Sequence, residues 1–180
     1  MKMYRAFGGP NSETFSIPAI EGFVRKYLVP GTVSIDPFAR NKRWFTYTND
    51  LNPETAAQYH MDAESFLHLM RDNEVRADVG IFDPPYSPRQ ISDCYQSIGL
   101  KVGMEETQNG RLYKRVRDAM DAIMKPGGVV LSFGWQSAGM GLGRRYEIIE
   151  IALINHGAAH NDTICMAERK LEPELELNLL

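Results

Sequence analysis

The residue types best suited to chemistry form one tetrapeptide, Asp83-Pro84-Pro85-Tyr86. The Asp83 carboxylate and the Pro84 carbonyl can each accept a hydrogen bond from an amine, and the two prolines hold that carbonyl extended without a competing N–H donor. The Tyr86 ring can stack on an aromatic base for about 1–3 kcal/mol. A chance match in a chain of this length is rare, on the order of one in a thousand. We predict that these residues act on an amine carried by an aromatic ring, with a surface turn as the competing interpretation.

The sequence around the tetrapeptide predicts alternating strands and helices. The apolar run from Asp78 to Asp83 predicts a buried strand that the prolines stop, so the tetrapeptide directly follows a strand. Apolar residues at helical spacing predict helices from Ala63 to Arg71 and from Arg111 to Met124, the second ended by Lys125 to Gly128. Other strands are predicted at Thr32 to Asp36, Phe45 to Asn49, Val129 to Phe133, Glu147 to Asn155 and Thr163 to Arg169. This order predicts an α/β fold whose mostly parallel sheet carries helices on both faces and ends in an antiparallel hairpin.

Three acidic residues fall at or just after the ends of predicted strands: Asp36, Asp50 and Asp83. Ligands of open α/β sheets bind beyond the carboxyl ends of the strands. Three acids at one edge of the sheet could therefore serve a cofactor that carries hydroxyls and a cation. Each acid taken alone is equally typical of a solvated turn.

Composition limits the class of protein. The 180 residues are 43% hydrophobic, and we expect a single domain over residues 1–180 with no separate target-recognition domain. The net charge of −3 argues against a protein that coats nucleic acid through a large basic face. The chain has no apolar run of membrane-spanning length and no signal peptide, so we expect a cytoplasmic protein without a membrane partner. Cys94 and Cys165 lack metal-type spacing and are expected to be buried free thiols.

With these motifs in place, Phe15 to Lys170 resemble the Rossmann-like DNA amino-methyltransferases, in particular the small adenine-specific methylases of phages and prophages. The resemblance implies a Rossmann-like methyltransferase fold, a bacterial host cell, and S-adenosylmethionine as the cofactor, with S-adenosylhomocysteine as the product. It implies N6 of adenine in DNA as the target. In that family the tetrapeptide is the catalytic motif, which implies Asp83, Pro84, Pro85 and Tyr86 here, and its acid also touches the methionine amino group of the cofactor.

The resemblance also implies a set of cofactor contacts in four segments. These are Phe15, Ile17 and Pro18 near the methionine end, Asp36, Pro37, Phe38 and Ala39 in the loop after the first strand, Asp50 and Leu51 at the ribose, and Asp62 and Ala63 at the adenine amine. The family writes two glycines in that loop, where this chain has Ala39-Arg40-Asn41. Plain core packing would suit Phe15 and Pro18 equally well, and Asp62 is also a favoured helix N-cap.

Contacts with the DNA substrate are expected from a few local residues. We predict them at Tyr86, Arg89, Trp135, Arg144 and Arg145, because arginines bind phosphates and aromatic rings stack on bases. The segment from Ser87 to Gly110 is predicted to form one wall of the base pocket. The basic residues Arg111, Lys114, Arg115 and Arg117 are instead interpreted as a solvated helix face. A homodimer and a partner protein that supplies sequence specificity are both compatible with the sequence.

Alternative functions remain at this point. Methylation of C5 of cytosine is disfavoured, because it uses a cysteine nucleophile behind a proline, whereas Cys94 follows Asp93 and Cys165 follows Ile164. Methylation of N4 of cytosine, or methylation of RNA, would use the same amine chemistry and remains an alternative. A degenerate methyltransferase that acts as a non-enzymatic binding module also stays open.

Overall fold

The computed structural model describes residues 1–9, 11, 13–85, 99, 109–157 and 160–173. Within them, seven strands form one sheet: β1 (Lys2–Phe7), β2 (Ser34–Asp36), β3 (Tyr47–Thr48), β4 (Ala77–Phe82), β5 (Met124–Gly134), β6 (Tyr146–Asn155) and β7 (Thr163–Lys170). The α-helices of these ranges are α1 (Pro18–Arg25), α2 (Ala63–Asp72) and α3 (Asn109–Ile123). None of the helices in the described ranges is long and apolar enough to cross a membrane.

The strands follow the order β1-β6-β7-β5-β4-β2-β3 across the sheet. β2 pairs in parallel with β3 and β4, β4 pairs in parallel with β5, and β1 pairs in parallel with β6. β7 runs antiparallel between β5 and β6, which makes the last two strands the predicted hairpin. The predicted α/β architecture is thus confirmed. The strand order reverses direction between β2 and β4, which is the point where ligands of such sheets bind.

The sheet separates two hydrophobic cores. On one face, α1 buries Phe23 and Val24 against Ile81 of β4. On the other face, α2 and α3 contribute Phe66 and Met120 to a second core. Helices therefore cover both faces, as a largely parallel sheet requires. The polar groups of the candidate site lie outside these two cores, at the edge of the sheet where the parallel strands end.

Two edge strands differ from the sequence-based expectation. β1 lies outside all the predicted strands, because an edge strand has little hydrophobic pattern: its residues Met3 and Phe7 are 60% and 73% exposed. β3 is shorter than the predicted range from Phe45 to Asn49. The hydroxyls of Ser34 and Thr46 accept from each other's backbone N–H at 3.0 Å, and these contacts replace strand pairing there.

The link between α3 and β5 corrects another prediction. Lys125 to Gly128 were expected to end the helix, but α3 ends at Ile123 and these residues already belong to β5. The pairing of β5 with β4 shifts register in this stretch, and Gly127 has φ of 76°, a conformation that glycine adopts without steric cost. Lys125 Nζ lies 2.7 Å from the Asp78 carboxylate and ties the irregular part of β5 to β4.

Candidate active site

Three acids meet at the carboxyl edge of the sheet, on both sides of the reversal in strand order. Asp36 is the last residue of β2, Asp83 directly follows β4, and Asp50 follows β3. The charges of Asp83 and Asp50 both contribute to the raised pKa of Asp36, which places the three carboxylates in one electrostatic unit. The structure therefore brings together the three acids that the sequence places at strand ends. The three acids lie at or just after the ends of three neighbouring parallel strands, β4, β2 and β3.

Asp36 is the most deeply buried of these acids, with no exposed surface. Its Oδ1 accepts a hydrogen bond from the backbone N–H of Phe38 at 2.9 Å. Its Oδ2 is buried and has no hydrogen-bond partner among the residues that the structure describes. Burial is the main reason that the pKa of Asp36 lies well above its ordinary value. A buried carboxylate oxygen without a donor is rare in folded proteins and is suited to a cationic or hydrogen-bonding ligand.

The loop after β2 keeps a glycine-like backbone without glycine. Arg40 has φ of 49°, in the left-handed region that few residues other than glycine adopt. Asp50 stabilises this conformation, because its Oδ2 accepts from the Arg40 N–H at 3.0 Å. Pro37 and Ala39 are buried in the same loop, and the Ala39 N–H donates to the Asn49 carbonyl at 2.8 Å. The two glycines that the resemblance leads us to expect in this loop are absent, and the loop nevertheless forms a tight turn.

Asn49 is a site residue that the sequence analysis does not single out. It is fully buried, and its side-chain amide donates to the Pro37 carbonyl at 3.1 Å and to the Met61 carbonyl at 2.9 Å. Its Oδ1 accepts from the Met61 N–H at 3.1 Å. One side chain thus connects the loop after β2 to the segment before α2. An asparagine near a strand end carries no sequence signal for such a role, because its partners lie 12 residues away on either side.

The second group of predicted cofactor residues lies at the start of α2. Asp62 is the N-cap of α2, and its Oδ1 accepts from the Ser65 N–H at 2.9 Å, so the predicted cap is confirmed. The cap leaves further lone pairs on the exposed carboxylate for a ligand. Ala63 is the first residue of α2, and Leu51 is partly exposed next to Asp50. Their contact with a cofactor stays a prediction.

Phe15 and Ile17 lie in the structure as the core-packing alternative describes, whereas Pro18 is exposed. The Phe15 ring packs at 5.0 Å between centroids against Phe133, and both Phe15 and Ile17 are 4% exposed. Pro18 opens α1, as expected of a proline in the first helical turn. Phe15 and Ile17 belong to the core on the face of the sheet that α1 covers. A direct contact of Phe15, Ile17 or Pro18 with a cofactor stays a prediction.

The tetrapeptide predicted to be catalytic begins where β4 ends. Asp83, Pro84 and Pro85 follow Phe82, the last residue of β4, and Pro84 is buried. Pro84 lines a cavity of about 520 Å³ between β4, β5 and α3. This volume is in the range of small-molecule pockets. Tyr86, the fourth member of the tetrapeptide, lies outside the described residues, and so do Arg89 and Cys94.

Four aromatic side chains contribute to the walls of the cavity next to Pro84, which we call the aromatic cavity. Phe82, Tyr113, Phe133 and Trp135 line it, and the ring centroids of Phe82 and Tyr113 lie 6.1 Å apart in an edge-to-face arrangement. Trp135 is half exposed at the rim. Trp135, which the sequence predicts as a DNA contact, lines the same cavity as Pro84, and its contact with DNA stays a prediction. Such walls suit a flat aromatic ligand.

Arg117 is the clearest candidate that the sequence analysis missed. We expected it on a solvated face of α3 together with Lys114 and Arg115, and those two are exposed. Arg117 instead lines the cavity, with its guanidinium 5.8 Å from the centroid of the Phe82 ring. Its Nη1 donates to the Gly139 carbonyl at 2.7 Å, and burial lowers its pKa below the ordinary value. Helical periodicity does not reveal this role, because Lys114 and Arg115 on the same helix are basic and exposed.

The segment after β5 forms the far wall of the cavity and is held by a buried acid. Glu168 of β7 is 1% exposed, and its carboxylate accepts from the N–H groups of Met140 and Gly141 at 2.6 and 3.0 Å. Burial raises the pKa of Glu168, while these two hydrogen bonds lower it. A side chain on Gly139, whose φ is 41°, would collide with the Glu168 carboxylate. The wall is thus built around a glycine and an internal acid.

The two arginines predicted to bind phosphate make contacts within the chain. The Arg144 guanidinium binds Asp118 Oδ1 at 2.6 and 2.8 Å and the Met140 carbonyl at 2.9 Å. Arg145 is exposed and donates to the Glu172 carbonyl at 2.6 Å. A phosphate would have to share or displace these partners. The structure therefore gives Arg144 a role in fixing the wall of the cavity, and its phosphate contact stays a prediction.

Solved structures share this arrangement of strands and helices. TrmN from Thermus thermophilus matches with a TM-score of 0.57 at 15% identity, over 86% of this chain and 49% of TrmN. NSun6 from Pyrococcus horikoshii, solved with SFG, matches with a TM-score of 0.55 at 12% identity, over 82% of this chain and 50% of NSun6. The N-methyltransferase NodS from Bradyrhizobium japonicum matches with a TM-score of 0.56 at 12% identity, over 84% of this chain and 94% of NodS. The chain has the Rossmann-like methyltransferase fold.

The likeness is one of fold, since the sequences have diverged far. This chain spans about half the length of TrmN and of NSun6. No protein-family model and no curated protein sequence matches the chain. The chemistry of the site therefore depends on the residues that this chain itself provides.

Proposed function

We propose that the protein is an S-adenosylmethionine-dependent methyltransferase that methylates N6 of adenine in DNA. The observation that carries this proposal is the position of Asp83-Pro84-Pro85, which follows β4 at the carboxyl edge of the sheet and borders the aromatic cavity through Pro84. An adenine taken out of its helix loses its stacking partners, and such a cavity can replace them. Its amine would then lie beside acceptors that the tetrapeptide provides.

The buried carboxylate of Asp36 supports the cofactor assignment. Its Oδ2 has no donor among the described residues, and the negative charges of Asp50 and Asp83 lie near it, so the edge of the sheet favours a cationic group. S-adenosylmethionine carries an ammonium and a sulfonium, and when bound it supplies the methyl group as an electrophile. Two structures of the same fold, NSun6 and SMU.776, were solved with SFG and SAH. The residues of this edge are suited to the same class of ligand.

Asp50 and Asp62 have lone pairs left for the remaining parts of the cofactor. The Asp50 carboxylate already accepts from the N–H groups of Arg40 and Asn52, at 3.0 and 2.9 Å. A carboxylate has about four acceptor positions, so Asp50 can still accept from two ribose hydroxyls. Asp62 uses one oxygen as the cap of α2, and its exposed carboxylate can accept from an adenine amine. Asn49 positions both segments, because it ties the loop after β2 to the residues before α2.

The tetrapeptide would act by orienting the amine of the target. An exocyclic amine is a poor nucleophile because its lone pair is delocalised into the ring. Hydrogen bonds to Asp83 and to the Pro84 carbonyl favour the pyramidal nitrogen of the transition state. The bound cofactor would supply the methyl carbon to this nitrogen with its sulfur as the leaving group, and the proton lost by the amine would pass to solvent. The resemblance to the DNA amino-methyltransferases supports adenine over cytosine, because the cytosine-N4 enzymes of that family more often have serine where this chain has Asp83.

Modified-base sequencing of DNA from cells that express the protein tests this proposal. Host cells without their own adenine methylation should acquire N6-methyladenine at a defined short sequence. Cells that express Asp83→Ala should not, while the control Asp72→Ala, an exposed change on α2, should behave as the unchanged protein. Digestion of DNA and RNA to nucleosides detects the alternatives, N4-methylcytosine and methylated RNA. Absence of every modification in the presence of folded protein would favour a non-enzymatic binding module.

A further inference from the structure

The aromatic cavity beside Pro84 contains a buried serine that the proposed mechanism does not use. Ser132 of β5 lines the cavity and is 6% exposed. Its Oγ has no hydrogen-bond partner among the residues that the structure describes. Buried hydroxyls nearly always have a partner, so a group that enters the cavity is the natural candidate.

The other polar side chains of the cavity are less suited to that group. The Nε of Arg117 donates to the Tyr113 carbonyl at 3.1 Å, and its Nη1 donates to the Gly139 carbonyl at 2.7 Å. Gln136 is exposed at the rim. Ser132 is therefore a polar group of the described lining that is buried and whose hydroxyl makes no hydrogen bond to the described residues.

Strand register places Ser132 beside the start of the tetrapeptide. Ser132 pairs with Phe82 across the parallel strands β4 and β5, so it lies one residue before the level of Asp83 on the neighbouring strand. The spacing of strands and residues in a sheet puts the Cα atoms of Ser132 and Asp83 about 6 Å apart. A base whose amine meets Asp83 would therefore present the ring atoms next to that amine towards Ser132.

We infer that Ser132 is a specificity-determining residue that donates a hydrogen bond to a ring nitrogen next to the target amine. The inference rests on the proposed function and deepens it. The amine of adenine is flanked by N1 and N7, both of which accept hydrogen bonds, and a serine hydroxyl can donate to one of them. A buried hydroxyl left without that acceptor penalises bases that lack it.

Binding of a free nucleoside tests the contact without methyl transfer. The probe is 2′-deoxyadenosine, followed by NMR through the indole N–H of Trp135 at the rim, with the second tryptophan, Trp44, as the internal reference. Ser132→Ala should raise the Kd about three- to tenfold, the loss of one neutral hydrogen bond. It should not lower the melting temperature, because the hydroxyl has no partner within the described fold. Ser137→Ala, the same change at an exposed neighbouring position, should alter neither quantity.

The 1-deaza and 7-deaza analogues of 2′-deoxyadenosine then locate the contact. The analogue that lacks the contacted nitrogen should bind the unchanged protein as weakly as 2′-deoxyadenosine binds Ser132→Ala, with no further loss in the variant. Equal affinity of the variant and the unchanged protein, equal penalties for all analogues, no binding to either protein, or a clearly lowered melting temperature would each overturn the inference. A nucleoside contact without methylation would refute the proposed function alone, whereas methylation with an unaffected Ser132→Ala would refute this inference alone.

Discussion

The buried acid Asp36 should make the stability of the protein depend on pH. Burial, with smaller contributions from Asp83 and Asp50, raises the pKa of Asp36 in the folded state above its value in the unfolded chain. The protonated carboxyl therefore stabilises the folded state at low pH, and this contribution is lost as the pH rises through the raised pKa. Asp36→Asn keeps the shape of the side chain without the ionisable proton. Urea unfolding should show that its free energy of unfolding falls less between about pH 4 and pH 8 than that of the unchanged protein.

The control for this prediction is Asp72→Asn, which changes an exposed carboxylate on α2. Its curve should follow that of the unchanged protein. A slope of the same sign should remain in Asp36→Asn, because burial also raises the pKa of Glu168. Identical pH curves for Asp36→Asn and the unchanged protein would show that Asp36 ionises in the folded state as easily as in the unfolded chain.

Individual residues differ in how well the sequence reveals them. Asp36 and Asp50 are predictable, because acids after parallel strands fall at one edge whatever the details of packing. Arg117 and Glu168 are not, because their roles depend on backbone partners far away in the chain, such as Gly139 and Met140. Each is followed in the sequence by an exposed charged residue, Asp118 and Arg169, as is typical of a surface position.

At the scale of elements, the segment after β5 should depend on Glu168. Glu168→Ala would leave the N–H groups of Met140 and Gly141 without their acceptor, which costs about 1–3 kcal/mol for a buried donor. Urea unfolding should therefore show a loss of roughly this size. Because this segment carries Trp135 and forms a wall of the cavity, binding of the target should weaken more than binding of the cofactor.

The matched control for Glu168→Ala is Glu147→Ala on β6. Glu147 is exposed and lies 3.8 Å from Arg169, and a surface ion pair of this kind contributes little to stability. Its free energy of unfolding should stay within about 0.5 kcal/mol of the unchanged protein. Equal small effects for both variants would mean that Glu168 does not hold the segment.

Most helices and strands are predictable from the periodicity of hydrophobic residues, but the positions at which they begin and end are not. The strands near the centre of the sheet were expected because they are apolar on both faces, as β4 shows. β1 lacks that pattern, since one side pairs with β6 and the other is the edge of the sheet. Lys125 to Gly128 have the composition of a helix end, yet long-range pairing with β4 and the ion pair to Asp78 extend β5 through them. Tertiary contacts thus decide where such a strand begins.

At the scale of the whole molecule, cofactor binding should stabilise the fold. S-adenosylmethionine at 100 times its Kd should raise the free energy of unfolding by about 2.7 kcal/mol, which a thermal shift detects. Asp50→Ala should show a smaller shift at the same concentration, because it loses both the ribose acceptor and the contact with the Arg40 N–H. No shift for the unchanged protein would favour the binding-module alternative.

If Asp83 acts on the target amine as proposed, single-turnover methyl transfer to DNA should depend on its carboxylate. Asp83→Ala should abolish transfer, and Asp83→Asn, which keeps an acceptor without the charge, should slow it about a hundred- to thousandfold. Thermal denaturation should show that both variants stay folded, since Asp83 lies at the edge of the sheet and outside its cores. Transfer by Asp83→Ala at the rate of the unchanged protein would refute this role and remove the tetrapeptide from the mechanism.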